Sequence, residues 1–131
     1  MRPRLGILVL CVLMASACAS SGSSSGKTRR DNNRVLAEEL EPLLQYNVWD
    51  AVRQLRPMWM RPGGIRNSAN PGGHSPHVFL DGSPYGEMEI LRTLRVQNIG
   101  EMRFIDATDA TTRYGGQFQG GVILLTTRRT P

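Results

Sequence analysis

The sequence has 131 residues, 40% of them hydrophobic and 21% charged, with a formal net charge of +5 and two cysteines. That length suits one small domain, and two cysteines exclude a disulfide-framed scaffold. Sixteen basic residues face eleven acidic ones, and the arginines are spread among Asp and Glu rather than gathered, so the charge does not point to nucleic acid.

The chain begins with a leader. Arg2 and Arg4 form a positive start, Leu5 to Ala15 a short apolar stretch, and Ala15-Ser16-Ala17 a run of small residues before Cys18. This is the layout of a secretory signal peptide. The apolar stretch is well short of the roughly 20 residues a spanning helix needs. Cys11 sits inside that stretch after Leu10, too large for a cleavage position.

With its cysteine placed directly after the small residues, the leader resembles a bacterial lipoprotein signal. The resemblance implies that residues 1–17 are removed and that Cys18 carries the lipid and anchors the protein to a membrane. Ala19 follows the cysteine, so the implied place is the outer membrane, facing the periplasm. Only one cysteine then remains, so the fold is held by an apolar core, a ligand or a partner. Residues 18–34, rich in Ser, Gly, Asn and charge, read as a flexible tether. Lys27, Arg29 and Arg30 in it are suited to an anionic membrane surface or to keeping the tether solvated.

Residues 35–131 read as the folded domain. Val35 to Leu44 suits either a short helix or a strand, and Pro42 interrupts both. Asn47 is placed to cap a helix, with Asp50 in its first turn. Val48, Val52, Leu55 and Trp59 fall on one face, and Pro57 ends the regular helix near Leu55 or Arg56. Trp49 and Trp59 are expected in the core. Arg61 to Pro76, with Pro, Gly, Asn and Ser and no periodicity, reads as a long loop.

His77 to Asp81 is an apolar strand running into the turn Asp81-Gly82-Ser83-Pro84. Glu87 to Leu94 reads as a helix with Met88 and Leu91 inward. Ile99 to Ala107 contains a second strand. Thr108 or Asp109 caps a short helix through Tyr114, which Gly115-Gly116 ends. Val122-Ile123-Leu124-Leu125 is a continuous β-prone run, suited to a strand buried on both faces. Strands alternating with short helices predict an α/β (α+β) domain with a small mixed sheet.

The order of these pieces resembles the plug domain of TonB-dependent outer-membrane receptors. Val78-Phe79-Leu80-Asp81-Gly82, Met88 to Leu94, Ile99 to Ile105, Ala110 to Gly115, and Gly120-Gly121-Val122-Ile123 to Thr127-Arg128 follow that family's sequence of elements. The helix from Val48 to Pro57 is similar to the plug's first helix. The sequence departs from receptors in stopping at Pro131, without the strands of a barrel, and in its 107–113 segment, where receptors are Gly- and Pro-rich. The resemblance implies a plug-like fold without a transport pore of its own.

The candidates for chemistry are sparse. His74 and His77 lie three apart, but Pro76 and nearby Gly place them in a loop without a third ligand, so no metal is expected. Asp81 and Asp109 suit a turn and a cap better than a catalytic pair with Asp106. Gly115, Gly116, Gly120 and Gly121 lack the Lys-Ser/Thr of a phosphate loop and suit tight turns. No cofactor and no catalysis are expected. Phe118, between Gln117 and Gln119, is either an exposed anchor for a partner or a lid folded onto the core. The expected function is that of a lipid-anchored envelope module that binds an envelope or barrel protein, or a small ligand. The alternatives are an envelope enzyme or enzyme subunit, and a purely structural lipoprotein.

Overall fold

The structure, a computed structural model, describes residues 31–64, 69 and 72–129. The leader, Cys18 and most of the tether lie outside the described residues. A turn at 31–34 closes with Arg34 N–H donating to the Asp31 carbonyl at 3.0 Å. Strand β1 (Arg34–Leu36) leads directly into helix α1 (Ala37–Leu40) and then a 3-10 turn, Glu41–Leu43. The 35–44 stretch therefore holds a strand and a helix in succession. Pro42 sits at the start of the 3-10 turn, where its missing N–H leaves no bond broken. The folded chain also starts earlier than the tether reading placed it: Arg34 is in the sheet, and Phe104 N–H reaches the Asn33 carbonyl at 2.8 Å.

Helix α2 (Val48–Leu55) has Asn47 as its cap, its Oδ1 accepting from Asp50 N–H at 2.8 Å. Val48, Ala51 and Val52 are buried. Arg56 N–H closes the helix on the Val52 carbonyl, and Pro57 opens a separate 3-10 turn, Pro57–Met60. That turn carries Trp59 into the core at 2% exposure. Trp49, expected inside, is half-buried at the rim instead, with the Arg92 guanidinium 3.8 Å from its ring centre. There the indole serves as a cation platform.

Strand β2 (His77–Leu80) turns through Asp81 and Gly82, with φ of 49° and 85°, into β3 (Ser83–Glu87). Two consecutive left-handed residues are what a two-residue hairpin turn requires. The expected turn 81–84 is thus shorter, and its second half is a strand. Pro84 is tolerated because β3 is at the sheet edge. The expected helix 87–94 is a 3-10 segment, Met88–Arg92, that buries Met88 and Leu91. Strand β4 (Ile99–Ile105), helix α3 (Ala107–Tyr114) and strand β5 (Val122–Thr127) complete the fold. The cap of α3 is Asp106, not Thr108 or Asp109: its Oδ1 accepts from Thr108 and Asp109 N–H at 2.9 and 3.0 Å.

These elements make a mixed five-stranded sheet in the order β1-β4-β5-β2-β3, with β5 and β2 parallel and the other neighbours antiparallel. The small α/β-type domain expected from the sequence is the one found. In-register pairing of Val78 with Ile123 and Phe79 with Leu124 sends alternate side chains to opposite faces. Val78, Met102, Ile123 and Leu125 join α2 and Trp59 in the larger cluster. Phe79, Ile105 and Val122 form a smaller one under Ala110 and Phe118. β5 is therefore covered on both faces and flanked on both edges. At the outer strand, Arg34 holds Glu101 through two hydrogen bonds of 2.6 and 2.9 Å. Those bonds, and then the carboxylate's charge, raise the Arg34 pKa above the usual arginine value. A raised folded-state pKa keeps the arginine's side of this contribution in place throughout the neutral range and loses it in strong alkali.

Candidate binding groove

The described ends of the 61–76 loop and the segment before β5 meet in space. The 61–64 turn is closed by a pair of hydrogen bonds between Gly63 and His74, 2.9 Å in each direction. It then lies backbone to backbone against the segment before β5. A Cβ on Gly64 would run into the Gln119 carbonyl, and one on Gly120 into the carbonyls of His74 and Ser75. Gly64 also has φ of 77°. Glycine is required here by close approach and, at Gly64, by backbone conformation as well.

Around this junction run three depressions of about 540, 590 and 340 Å³. The first two share Ala107 and Thr108, and the second and third share Met58 and Phe104, so they adjoin in a row and together make up a segmented groove. One end is lined by Gly64, Thr111 and Gln119. The middle is lined by Arg61, Asp106 and Asp109. The other end is lined by Asn32, Asn33 and Leu55, with Arg56 and Trp59 in its wall. Met58 stands in the groove at 61% exposure.

Its wall is held by Arg56, which is 8% exposed. One guanidinium nitrogen donates to the Leu55 carbonyl at 3.0 Å. The other reaches the carbonyls of Asp31 and Arg34 and the carboxylate of Glu39, at 3.0–3.3 Å. Nε is buried without a hydrogen-bond partner in the described structure. Trp59 adds a 2.9 Å bond from Nε1 to the Asn32 carbonyl and stacks on Phe104, with ring centres 5.9 Å apart. The groove thus has a rigid apolar floor and backbone-rich sides, with charge at its centre. Asp109 is loosely paired with Arg113 at 3.8 Å.

Phe118 is not an exposed anchor. It is 6% exposed, and its ring lies edge-on to His77, Phe79 and Tyr114 at 5.1, 5.2 and 6.1 Å. The lid alternative is the one realised: the outer face of Phe79 and Val122 is apolar, α3 is short, and Phe118 finishes the cover. Gln117 is exposed, and Gln119 is half-buried and lines the groove. Cys18 lies outside the described residues.

Of the three acidic candidates, Asp106 and Asp109 lie together in the middle of the groove and Asp81 is remote from them. Asp106 follows Ile105, which pairs with Val122 at the start of β5, whereas Asp81 bonds Thr127 at the end of that strand. Those ends are about 16 Å apart. His74 belongs to the Gly63 bridge and His77 to β2. Among the described residues, no three His, Cys, Asp or Glu side chains are grouped to hold a metal ion, and no helix is long and apolar enough to cross a membrane. Met58, Phe104 and Thr111 line the groove without having been singled out for binding in the sequence, and Thr108, expected as a cap, lines it instead. The paired glycines 63–64 and 120–121 are the one local sign of its close backbone contacts.

Comparison with protein-family models, with curated proteins and with solved structures finds no match.

Proposed function

We propose that this protein is a lipid-anchored binding module of the cell envelope, held at the outer membrane through Cys18 and facing the periplasm. Its order of elements resembles a receptor plug, and it takes an envelope or barrel protein as its partner. The observation that carries this reading is the meeting of the 61–64 and 119–120 backbones, which joins two loops and the first turn of α3 into one groove. Recognition commonly sits on loops fixed by a rigid scaffold. An open, shallow groove with a protruding Met suits a polypeptide better than an enclosed small molecule. Asp81, Asp106 and Asp109 serve as a turn, a cap and an ion pair, and the reading assigns no catalytic step.

The test places a photoreactive residue at Thr108, in the groove, or at Tyr85, on the opposite edge strand, in cells that make the full chain. The reading predicts a discrete crosslinked protein from position 108 and none from 85. Absence of a product at 108, or the same products at both positions, overturns it. The mass of the mature N-terminus tests the anchor separately, with a diacylated Cys18 expected.

A further inference from the structure

We propose that Met58 is a redox switch of the groove, oxidised by peroxide to the sulfoxide and restored by reduction. Its selectivity rests on exposure, and its effect on a partner rests on the binding role proposed above. Pro57 opens the 3-10 turn, and buried Trp59 is tied through Nε1 to the Asn32 carbonyl at 2.9 Å. Met58 lies between them, and its own carbonyl accepts from Arg61 N–H at 3.3 Å. The fixed turn holds the side chain out: at 61% exposure it is the most exposed large apolar residue among those described. The other described methionines are withheld from water. Met60 is half-buried against the larger cluster, and Met88 and Met102 are 7% and 0% exposed. Met58 also lines both the second and the third depressions, so the sulfur that an oxidant in water reaches first stands at the seam of the groove.

The step needs nothing from the protein beyond the thioether. A sulfur lone pair takes one oxygen of hydrogen peroxide, the O–O bond breaks as the S–O bond forms, and the other oxygen leaves as water. Sulfur gives up two electrons and the peroxide takes them. A methionine sulfoxide reductase reverses the step with electrons from a thiol pair. The sulfoxide replaces a flexible apolar contact, of the kind that suits an adaptable binding surface, by a polar one. Covering that polar group with a partner costs its hydration. An exposed side chain makes few internal contacts, so the change acts on the groove and leaves the fold in place.

The test uses envelope membranes from cells making the full chain with a photoreactive residue at Thr108, crosslinked with and without brief hydrogen peroxide. Peptide mass spectrometry reads oxidation at each methionine. Met58 sulfoxide is expected to form several-fold faster than that of Met88 or Met102, and the crosslinked product to fall in step with it. A methionine sulfoxide reductase with a thiol should restore the product. Met58→Leu, compared only with itself, should give a yield that does not respond to peroxide, which separates Met58 from oxidation of the partner. Thermal melts of oxidised and untreated purified protein should coincide. Equal oxidation of Met58 and Met102, full product after complete Met58 oxidation, or a melt lowered by oxidation overturns the switch. A product missing even without peroxide fails the binding role as well, so the untreated sample tells the two failures apart.

Discussion

The Asp81 carboxylate accepts both donors of Thr127, the backbone N–H at Oδ1 and the hydroxyl at Oδ2, each at 2.9 Å. Asp81 N–H meanwhile donates to the Leu125 carbonyl at 2.9 Å. One residue therefore turns the β2–β3 hairpin and carries the parallel β2–β5 pairing past the end of its ladder. Asp is among the few side chains that tolerate the left-handed backbone found here. Asp81→Ala is expected to destabilise the domain by about 1–2 kcal/mol, since both bonds are lost at an exposed site. Asp81→Asn, which keeps one acceptor and the backbone tolerance, should cost less than half of that. Urea melts of the three proteins check the order.

Ile123 has no exposed surface and lies in the strand flanked by β4 and β2. Ile123→Asp places an unpaired charge there, at a cost of several kcal/mol. A domain of this size has about 5–10 kcal/mol in total, so the circular dichroism spectrum should lose its folded signature. A cooperative melt close to wild type would refute the central position of β5.

Phe118→Ala should act on stability rather than directly on partner capture. Removing a buried ring from the smaller cluster costs about 3 kcal/mol, or a fall in melting temperature of roughly 15 °C for a domain of this length. Gln117→Ala, at the exposed neighbour, should leave the melt unchanged. A Phe118→Ala variant that melts like wild type but no longer captures a partner would restore the anchor reading.

Arg56 is the buried cation that joins the N-terminal turn to the end of α2. Arg56→Met keeps the apolar stem and removes the donors to three carbonyls and Glu39. The expected loss is about 2–4 kcal/mol. Amide exchange should report it first at Arg34, whose N–H bonds Asp31, and at Phe104, whose N–H bonds Asn33.

Much of this architecture was legible because local and tertiary signals agree. Asn47 with Asp50, the Pro57 stop and the β-prone run 122–125 all specify what they form. β3 was hidden because Pro84 and Gly86 argue against a strand, and only its edge position and the hairpin to β2 make one. Asp106 was passed over as a cap because the helix starts at Ala107, two or three residues before the start that a Thr108 or Asp109 cap implies. Phe118 could not be placed because exposure of one aromatic among Gly and Gln depends on what lies opposite, here His77, Phe79 and Tyr114. The groove depends on sheet order, which sets residues 61–64 against 119–120, more than fifty positions away in the chain. No local pattern encodes that.

Gly120 gives the sharpest test of that junction. It is buried, and an added Cβ would overlap the carbonyls of His74 and Ser75, which are backbone atoms and cannot rotate aside. Gly120→Ala must push the 61–76 loop away from β5 or shift the start of that strand, and overpacking of this kind costs about 1–3 kcal/mol. Gly72, in the same loop, meets nothing at its Cβ position among the described residues and has no left-handed φ. Gly72→Ala should therefore be neutral, or stabilising by up to about 1 kcal/mol through a less flexible unfolded chain. Thermal melts of both variants give the stability contrast. Crosslinking from Thr108 in the Gly120→Ala background then asks whether the groove's shape matters. Because the variant remains well within the stability of a folded domain, loss of the crosslink with a cooperative melt retained ties recognition to the 64–119 contact. Retention of the crosslink at full yield would show that the partner is held by α3 alone and that the loop junction is only structural.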